Sequence, residues 1–174
     1  MKYNIENIDS SKGFIFFWGH SCKENIINKS CLSQWYKSDF IIDDVKYCCM
    51  EQYMMAEKAK LFNDSETLNL IMDETDQKTI KYLGRIVKNF NSNIWDENKY
   101  NIVLKGNFAK FSQNNNLKDF LLSTNDSIIV EASPYDKVWG IGMKQDDKNI
   151  LDVSKWKGKN LLGFALMEVR DMLR

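Results

Sequence analysis

The chain has 174 residues, and its 24 basic and 24 acidic side chains leave a formal net charge of zero, so no global field draws it to a nucleic-acid backbone or an anionic membrane. Hydrophobic residues make up 44% and charged residues 28%; this is globular composition, and no apolar run approaches the roughly 18 residues of a membrane span. A single histidine, His20, excludes a His-rich metal site, and four cysteines at 22, 31, 48 and 49 fit no zinc spacing, so they read as reduced core thiols.

The polar start MKYNIENIDSSKG carries no hydrophobic leader, which points to a cytoplasmic protein, and the length fits one domain over residues 1–174. Phe14 to Trp18, FIFFW, suits a buried strand, with Gly19-His20-Ser21 as a turn and His20 as a loop residue. Phe40-Ile41-Ile42 and Val45-Lys46-Tyr47 read as two short strands around the tight turn Asp43-Asp44. Tyr47 to Asp64 then reads as one amphipathic helix, with Cys48 and Cys49 inside it.

Two charges stand on the wrong face of that helix. Glu51 has Tyr47, Cys48, Met54 and Met55 at the neighbouring offsets, and Lys58 has Met54, Met55, Leu61 and Phe62; neither meets an opposite charge on its own helix. Lys60 differs, with Glu57 and Asp64 in reach. Seven residues return a helix almost to the same azimuth and advance about 10 Å, so Glu51 and Lys58 share a stripe without pairing directly. They are placed to grip one small molecule between them.

Asp64-Ser65 caps a second helix through about Met72, and Thr75 or Asp76 caps a third with Ile80, Leu83, Ile86, Val87 and Phe90 at helical spacing. Gly84 interrupts it where a neighbour comes close. Arg85 beside it has Lys81, Tyr82, Lys88 and Asn89 as helical neighbours and again no carboxylate. Trp95 opens a long helix to about Gln113, with Gly106 at another close approach, and Leu117 to Ser123 forms one more. Ser127 to Ala132 is a strand ending in Glu131, which is either protected or solvated. Pro134, Gly140 and Gly142 stiffen and shape the loop SPYDKVWGIG, which presents Asp136 and Trp139. The closing helix is capped by Asn160 and packs Leu162, Leu166, Val169 and Leu173; its Arg170 has Leu166, Met167, Leu173 and Arg174 at the neighbouring offsets, no carboxylate among them, and serves either a long-range salt bridge or an anion.

The succession FIFFWGHS, MEQYMMAEKAKLFND, LGR at 83 to 85, Trp95, KFSQN, LLSTNDSIIVEASPYDKVWGIG and WKGKNLLGFALMEVR closely resembles the NADAR family, the YbiA-like N-glycosidases, from about Phe14 to Arg174. The resemblance implies a mainly helical α+β single domain with a few short strands. It also implies hydrolysis of N-glycosidic bonds, either in phosphoribosylated pyrimidine intermediates of riboflavin synthesis or in ADP-ribose attached to guanine bases, so the partner is a small ribosyl-phosphate or ADP-ribosyl molecule or an ADP-ribosylated nucleic-acid base. No cofactor, no metal and no membrane partner are expected. Glu51 and Lys58 match the family's E-x-x-x-x-x-x-K helix, Trp95 its aromatic on the long helix, Asp136, Trp139 and Gly140 its D-x-x-W-G loop, and Arg170 its closing arginine.

Cleavage of such a bond passes through an oxocarbenium-like transition state, which carboxylates stabilise. Glu51 then activates water or supports the cation, and Asp136 protonates or orients the base while Trp95 and Trp139 stack on it. Lys58, Arg170 and Arg85 hold phosphate; alternatively Lys58, with its pKa lowered by burial, attacks the opened sugar as a Schiff base. A module that binds ADP-ribose without cleaving it is the rival from another class, and a structural protein with a buried ion-pair network is a third reading.

Overall fold

The computed structural model describes residues 1–19 and 27–174; His20, Ser21 and Cys22, with what the sequence suggests for them, lie outside the described residues. Within these the chain runs β1 (Phe14–Phe17), β2 (Phe40–Ile42), β3 (Val45–Tyr47), α1 (Met50–Leu61), α2 (Ser65–Asp73) and α3 (Gln77–Arg85). It continues through α4 (Ser92–Gln113), α5 (Asn115–Ser123), β4 (Ile128–Glu131) and α6 (Leu161–Leu173). Six α-helices and four short strands among the described residues make a mainly helical α+β fold, as the resemblance implies. The residues gather into two units, 34–113 and the paired segments 1–33 and 114–174.

In the 34–113 unit, Asp43 and Asp44 take positive φ values of 50° and 62°, the backbone of a two-residue hairpin turn that Asp tolerates well. The hairpin pairs β2 with β3 antiparallel, Phe40 opposite Tyr47. Tyr47 therefore closes a strand and does not open the helix, and its ring packs against Phe40 and Tyr53 at centroid distances of 5.8 and 5.0 Å. Cys48 and Cys49, expected inside the helix, lie ahead of it; Cys49 is extended at φ −165° and ψ 166° and takes the N-cap position of α1.

From Met50 onward the Met, Glu, Gln, Ala and Lys of α1 are good helix formers. The helix is not amphipathic as expected, since every residue from Met50 to Ala56 is buried. The reason is that α2, α3 and α4 all pack on it. A Cβ on Gly84 would lie 1.8 Å from Met55 Sδ, and one on Gly106 would lie 2.5 Å from Tyr53 Cδ1, so both glycines sit at the expected close approaches. Buried Gln52 ties the end of α2 down, its Nε2 donating to the carbonyls of Ile71 at 3.1 Å and Glu74 at 3.0 Å. Asp64 caps α2 through the Thr67 amide at 3.1 Å and accepts the Lys88 amide at 2.8 Å. Helix α3, capped by Asp76, stops at Arg85, so Ile86, Val87 and Phe90, expected on the helix, belong to the connection to α4.

In the other unit β1 and β4 pair in parallel, from Phe14 opposite Ile128 to Phe17 opposite Glu131. Helix α6 packs on β4, burying Leu162, Leu166 and Val169 fully. A Cβ on Gly163 would meet the Ile129 carbonyl at 2.0 Å, which shows how close the helix runs to the strand. Asn160 takes the N-cap position, as expected, but its side chain does not cap the helix. It bonds β4 instead, Nδ2 donating to the Ile129 carbonyl at 2.9 Å and Oδ1 accepting the Glu131 amide at 3.0 Å. No helix among the described residues is long and apolar enough to cross a membrane.

Candidate active site

The 34–113 unit holds Glu51, Lys58, Arg85 and Trp95. Both Glu51 and Lys58 lie on α1, as the sequence suggests. Glu51 stands in the first turn, where the amide ends of the helix favour a carboxylate, and is only 3% exposed; its backbone amide donates to the Gln34 carbonyl at 2.9 Å.

Lys58 is half-buried. Its Nζ donates to the Gly84 carbonyl at 2.7 Å and lies 4.2 Å from the ring centre of Phe90 and 5.7 Å from that of Trp95. It makes no ion pair among the described residues, and burial pushes its pKa below the ordinary 10.5. Lys60, two residues on, shows the contrast, with Glu57 Oε1 at 2.8 Å and the Tyr47 hydroxyl at 3.1 Å. The expected distinction between these lysines therefore holds.

The environment of Lys58 comes from three elements. The end of α3 supplies the Gly84 carbonyl, the connection after it supplies Phe90, and the start of α4 supplies half-buried Trp95. Arg85 follows Gly84 directly, is exposed and makes no ion pair among the described residues. Sequence reasoning missed Phe90 as a site residue because apolar spacing places it on α3. The flanking Asn89 and Asn91 were the available signal, and Asn89 does take a positive φ of 56°, which asparagine accepts.

The second unit holds Asp136, Trp139, Gly140 and Arg170. Ser133 Oγ accepts the Asp136 amide at 3.2 Å, and Asp136 Oδ1 accepts the amides of Val138 and Trp139, both at 2.8 Å. This turn, closed by an aspartate side chain, fixes the loop; Oδ2 makes no hydrogen bond among the described residues. Trp139 is 8% exposed, which leaves little of its ring open for stacking. A Cβ on Gly140 would lie 2.8 Å from the Glu131 carbonyl and 3.1 Å from the Asp136 carbonyl, so glycine lets the loop lie against β4.

Arg170 is 2% exposed. Its Nη1 donates to Thr124 Oγ1 at 2.9 Å and to the Ser127 carbonyl at 2.8 Å, pinning the turn between α5 and β4 onto α6. Burial and then the nearby Arg174 lower its pKa. Arg170 makes no salt bridge among the described residues; its partners there are a hydroxyl and a carbonyl. No group of three or more His, Cys, Asp or Glu side chains gathers as a metal site among the described residues.

Comparison with known proteins matches the NADAR domain model over residues 16–174. The chain is 45% identical over 163 residues to N-glycosidase R617 of Acanthamoeba polyphaga mimivirus, covering 91% of this chain and 95% of that one. It is 32% identical over 173 residues to Protein irg-1 of Caenorhabditis elegans, covering 95% and 82%. The solved NMR structure of E. coli YbiA superposes with a TM-score of 0.75 at 26% identity, covering 93% of this chain and 85% of that one. The family match takes in the helix of Glu51 and Lys58, the loop of Asp136 and the closing helix alike, and the chain belongs to the NADAR domain family.

Proposed function

We propose that the chain is an N-glycosidase whose reaction centres on Lys58 and Glu51 and whose substrate carries a ribosyl phosphate. That substrate is a phosphoribosylaminopyrimidine intermediate of riboflavin synthesis or ADP-ribose on a guanine base. The observation that carries the reading is Lys58, a half-buried amine without an ion-pair partner among the described residues, held by one carbonyl and flanked by two aromatic rings. An amine whose pKa is lowered by burial is neutral more of the time, and only the neutral amine is a nucleophile. The relative named N-glycosidase, at 45% identity, supports the class of bond.

Lys58 then attacks C1 of the ring-opened sugar, the bond from C1 to the base nitrogen breaks and the base leaves with a proton, and water hydrolyses the resulting imine to free the sugar and restore the amine. Glu51 activates water or supports the positive charge that develops at C1. Asp136, through Oδ2, protonates or orients the departing base, and Trp95 offers a ring face to it. Arg85, exposed and unpaired among the described residues, takes phosphate. Arg170 stays outside this set, because its guanidinium already serves Thr124 and Ser127. Residues 1–174 are read as one domain of a cytoplasmic enzyme.

The test is one incubation with each substrate class, scored for released base, on the unaltered protein and on Glu51→Gln and Lys58→Met. Base release from one class, lost in both variants, and a ribosyl adduct at Lys58 trapped by borohydride are the expected results. Full turnover in Lys58→Met removes the covalent step, and unchanged hydrolysis in Glu51→Gln removes this helix from catalysis. Calorimetric binding of ADP-ribose with no base released from either substrate would favour the non-cleaving binding module.

A further inference from the structure

Adjacent residues of an extended chain normally point their side chains to opposite faces, and two neighbouring cysteines are then out of reach of each other. Cys48 and Cys49 depart from this, with their sulfurs 3.9 Å apart in a thiol hydrogen bond. The backbone holds them there: the Cys48 carbonyl accepts the Ser38 amide at 3.0 Å, and the Cys48 amide donates to Gln52 Oε1 at 2.8 Å. Cys49 is fully buried and Cys48 half-buried, so Cys48 is the more accessible residue of the pair.

We propose that Cys48 and Cys49 form an oxidative modification site that takes low-molecular-weight disulfides, with Cys48 as the attacking sulfur and Cys49 as the resolving one. In the first step the Cys48 thiolate forms a bond to one sulfur of a disulfide such as glutathione disulfide, whose S–S bond breaks and releases one half as thiolate. In the second, Cys49 gives up its proton and attacks Cys48 Sγ, releasing the other half as a thiol. The protein loses two electrons and two protons, and the external disulfide becomes two thiols.

The electrostatics fit this division of labour. The hydrogen bond shared with Cys49 pulls the Cys48 thiol down to about 7, so near neutral pH a large share is thiolate, the attacking species. The same hydrogen bond, and then burial, push the Cys49 thiol up, which keeps it protonated until the mixed disulfide has formed. Consecutive Cα atoms lie about 3.8 Å apart, shorter than the usual disulfide range of roughly 4.4–6.8 Å. The product is therefore strained and easily reduced, as suits a reversible mark.

Trypsin cuts after Lys46 and Lys58, so residues 47–58 leave as one peptide holding only these two cysteines, and Cys31 leaves on another. The folded protein is treated with glutathione disulfide, quenched, alkylated and digested without reductant. The expected 47–58 peptide is lighter by two hydrogens and takes up no alkylating agent, while Cys31, fully buried, reacts at least about tenfold more slowly. Cys49→Ser, or Cys49→Ala if the serine variant does not fold, retains one glutathione, and Cys48→Ser remains unmodified. A fully alkylated wild-type peptide, a mixed disulfide as persistent in the wild type as in the Cys49 variants, or Cys31 reacting as fast would each overturn the proposal.

Discussion

Replacing Asn160 by alanine should be among the most damaging single changes in the unit of residues 1–33 and 114–174. The side chain is fully buried and satisfies both the Ile129 carbonyl and the Glu131 amide of β4. Alanine leaves both without a partner, at about 1–3 kcal/mol each, and places a Cβ-bearing residue without an amide side chain at φ 52°, where the left-handed region costs roughly 1–2 kcal/mol. The sum is about 5 kcal/mol, or roughly 10–20 °C in Tm for a chain of this size. Asn160→Gly removes the conformational part and keeps the hydrogen-bond loss, so it should recover about 1 kcal/mol relative to alanine. Urea and thermal unfolding followed by far-UV circular dichroism measure both. An alanine variant within about 1 kcal/mol of the wild type would refute the view that this amide fastens α6 to β4.

Gly140→Ala should destabilise by about 2 kcal/mol, because its Cβ would stand 2.8 Å from the Glu131 carbonyl; calorimetry checks it, and an unchanged Tm would mean that the loop yields easily. Asp136→Asn keeps the acceptor for the Val138 and Trp139 amides but cannot hold or give the acidic proton, so the fold should survive while kcat falls about a hundredfold or more. A variant that loses both together would reduce Asp136 to a turn former. Lys58 makes stability depend on pH in a defined sense: its folded pKa lies below 10.5, so the unfolded chain binds more protons and stability rises with pH between the lowered value and 10.5. The burial cost is complete below that window and absent above it. Comparing wild type with Lys58→Met by urea unfolding from about pH 7 to pH 10 should therefore show the wild type gaining on the variant; a constant difference contradicts a desolvated amine. The lost bond to the Gly84 carbonyl offsets the absolute difference but not its slope.

Where local chemistry decides, the sequence was readable. The Asp43-Asp44 hairpin, the Asp64 and Asp76 caps, the close approaches at Gly84 and Gly106 and the unlike settings of Lys58 and Lys60 all follow from residue type and spacing. The departures come from tertiary demands. Tyr47 is helical by pattern but is held in a strand opposite Phe40, and α1 looks amphipathic yet is buried on every side from Met50 to Ala56, with three helices packed on it. Asn160 sits where a cap belongs and spends its amide on β4. Arg170 lacked a carboxylate in the sequence, and its partners proved to be a hydroxyl and a carbonyl contributed from far along the chain, which no helical offset reveals.

The parallel pairing of β1 with β4 joins residues more than a hundred positions apart, whereas residues 34–113 form a unit continuous in the chain. On the ribosome that continuous unit can complete its contacts first, while Phe14-Ile15-Phe16-Phe17 must wait for Ile128-Ile129-Val130. At about 5–20 residues per second the wait is on the order of 10 s. Throughout it, a short aromatic strand with no charge and an open edge is available to other chains. The same segment that ends as the partner of β4 is thus the part of the nascent protein in greatest need of chaperone cover, and yield at high expression should respond to one charge placed there more than to changes anywhere in α1.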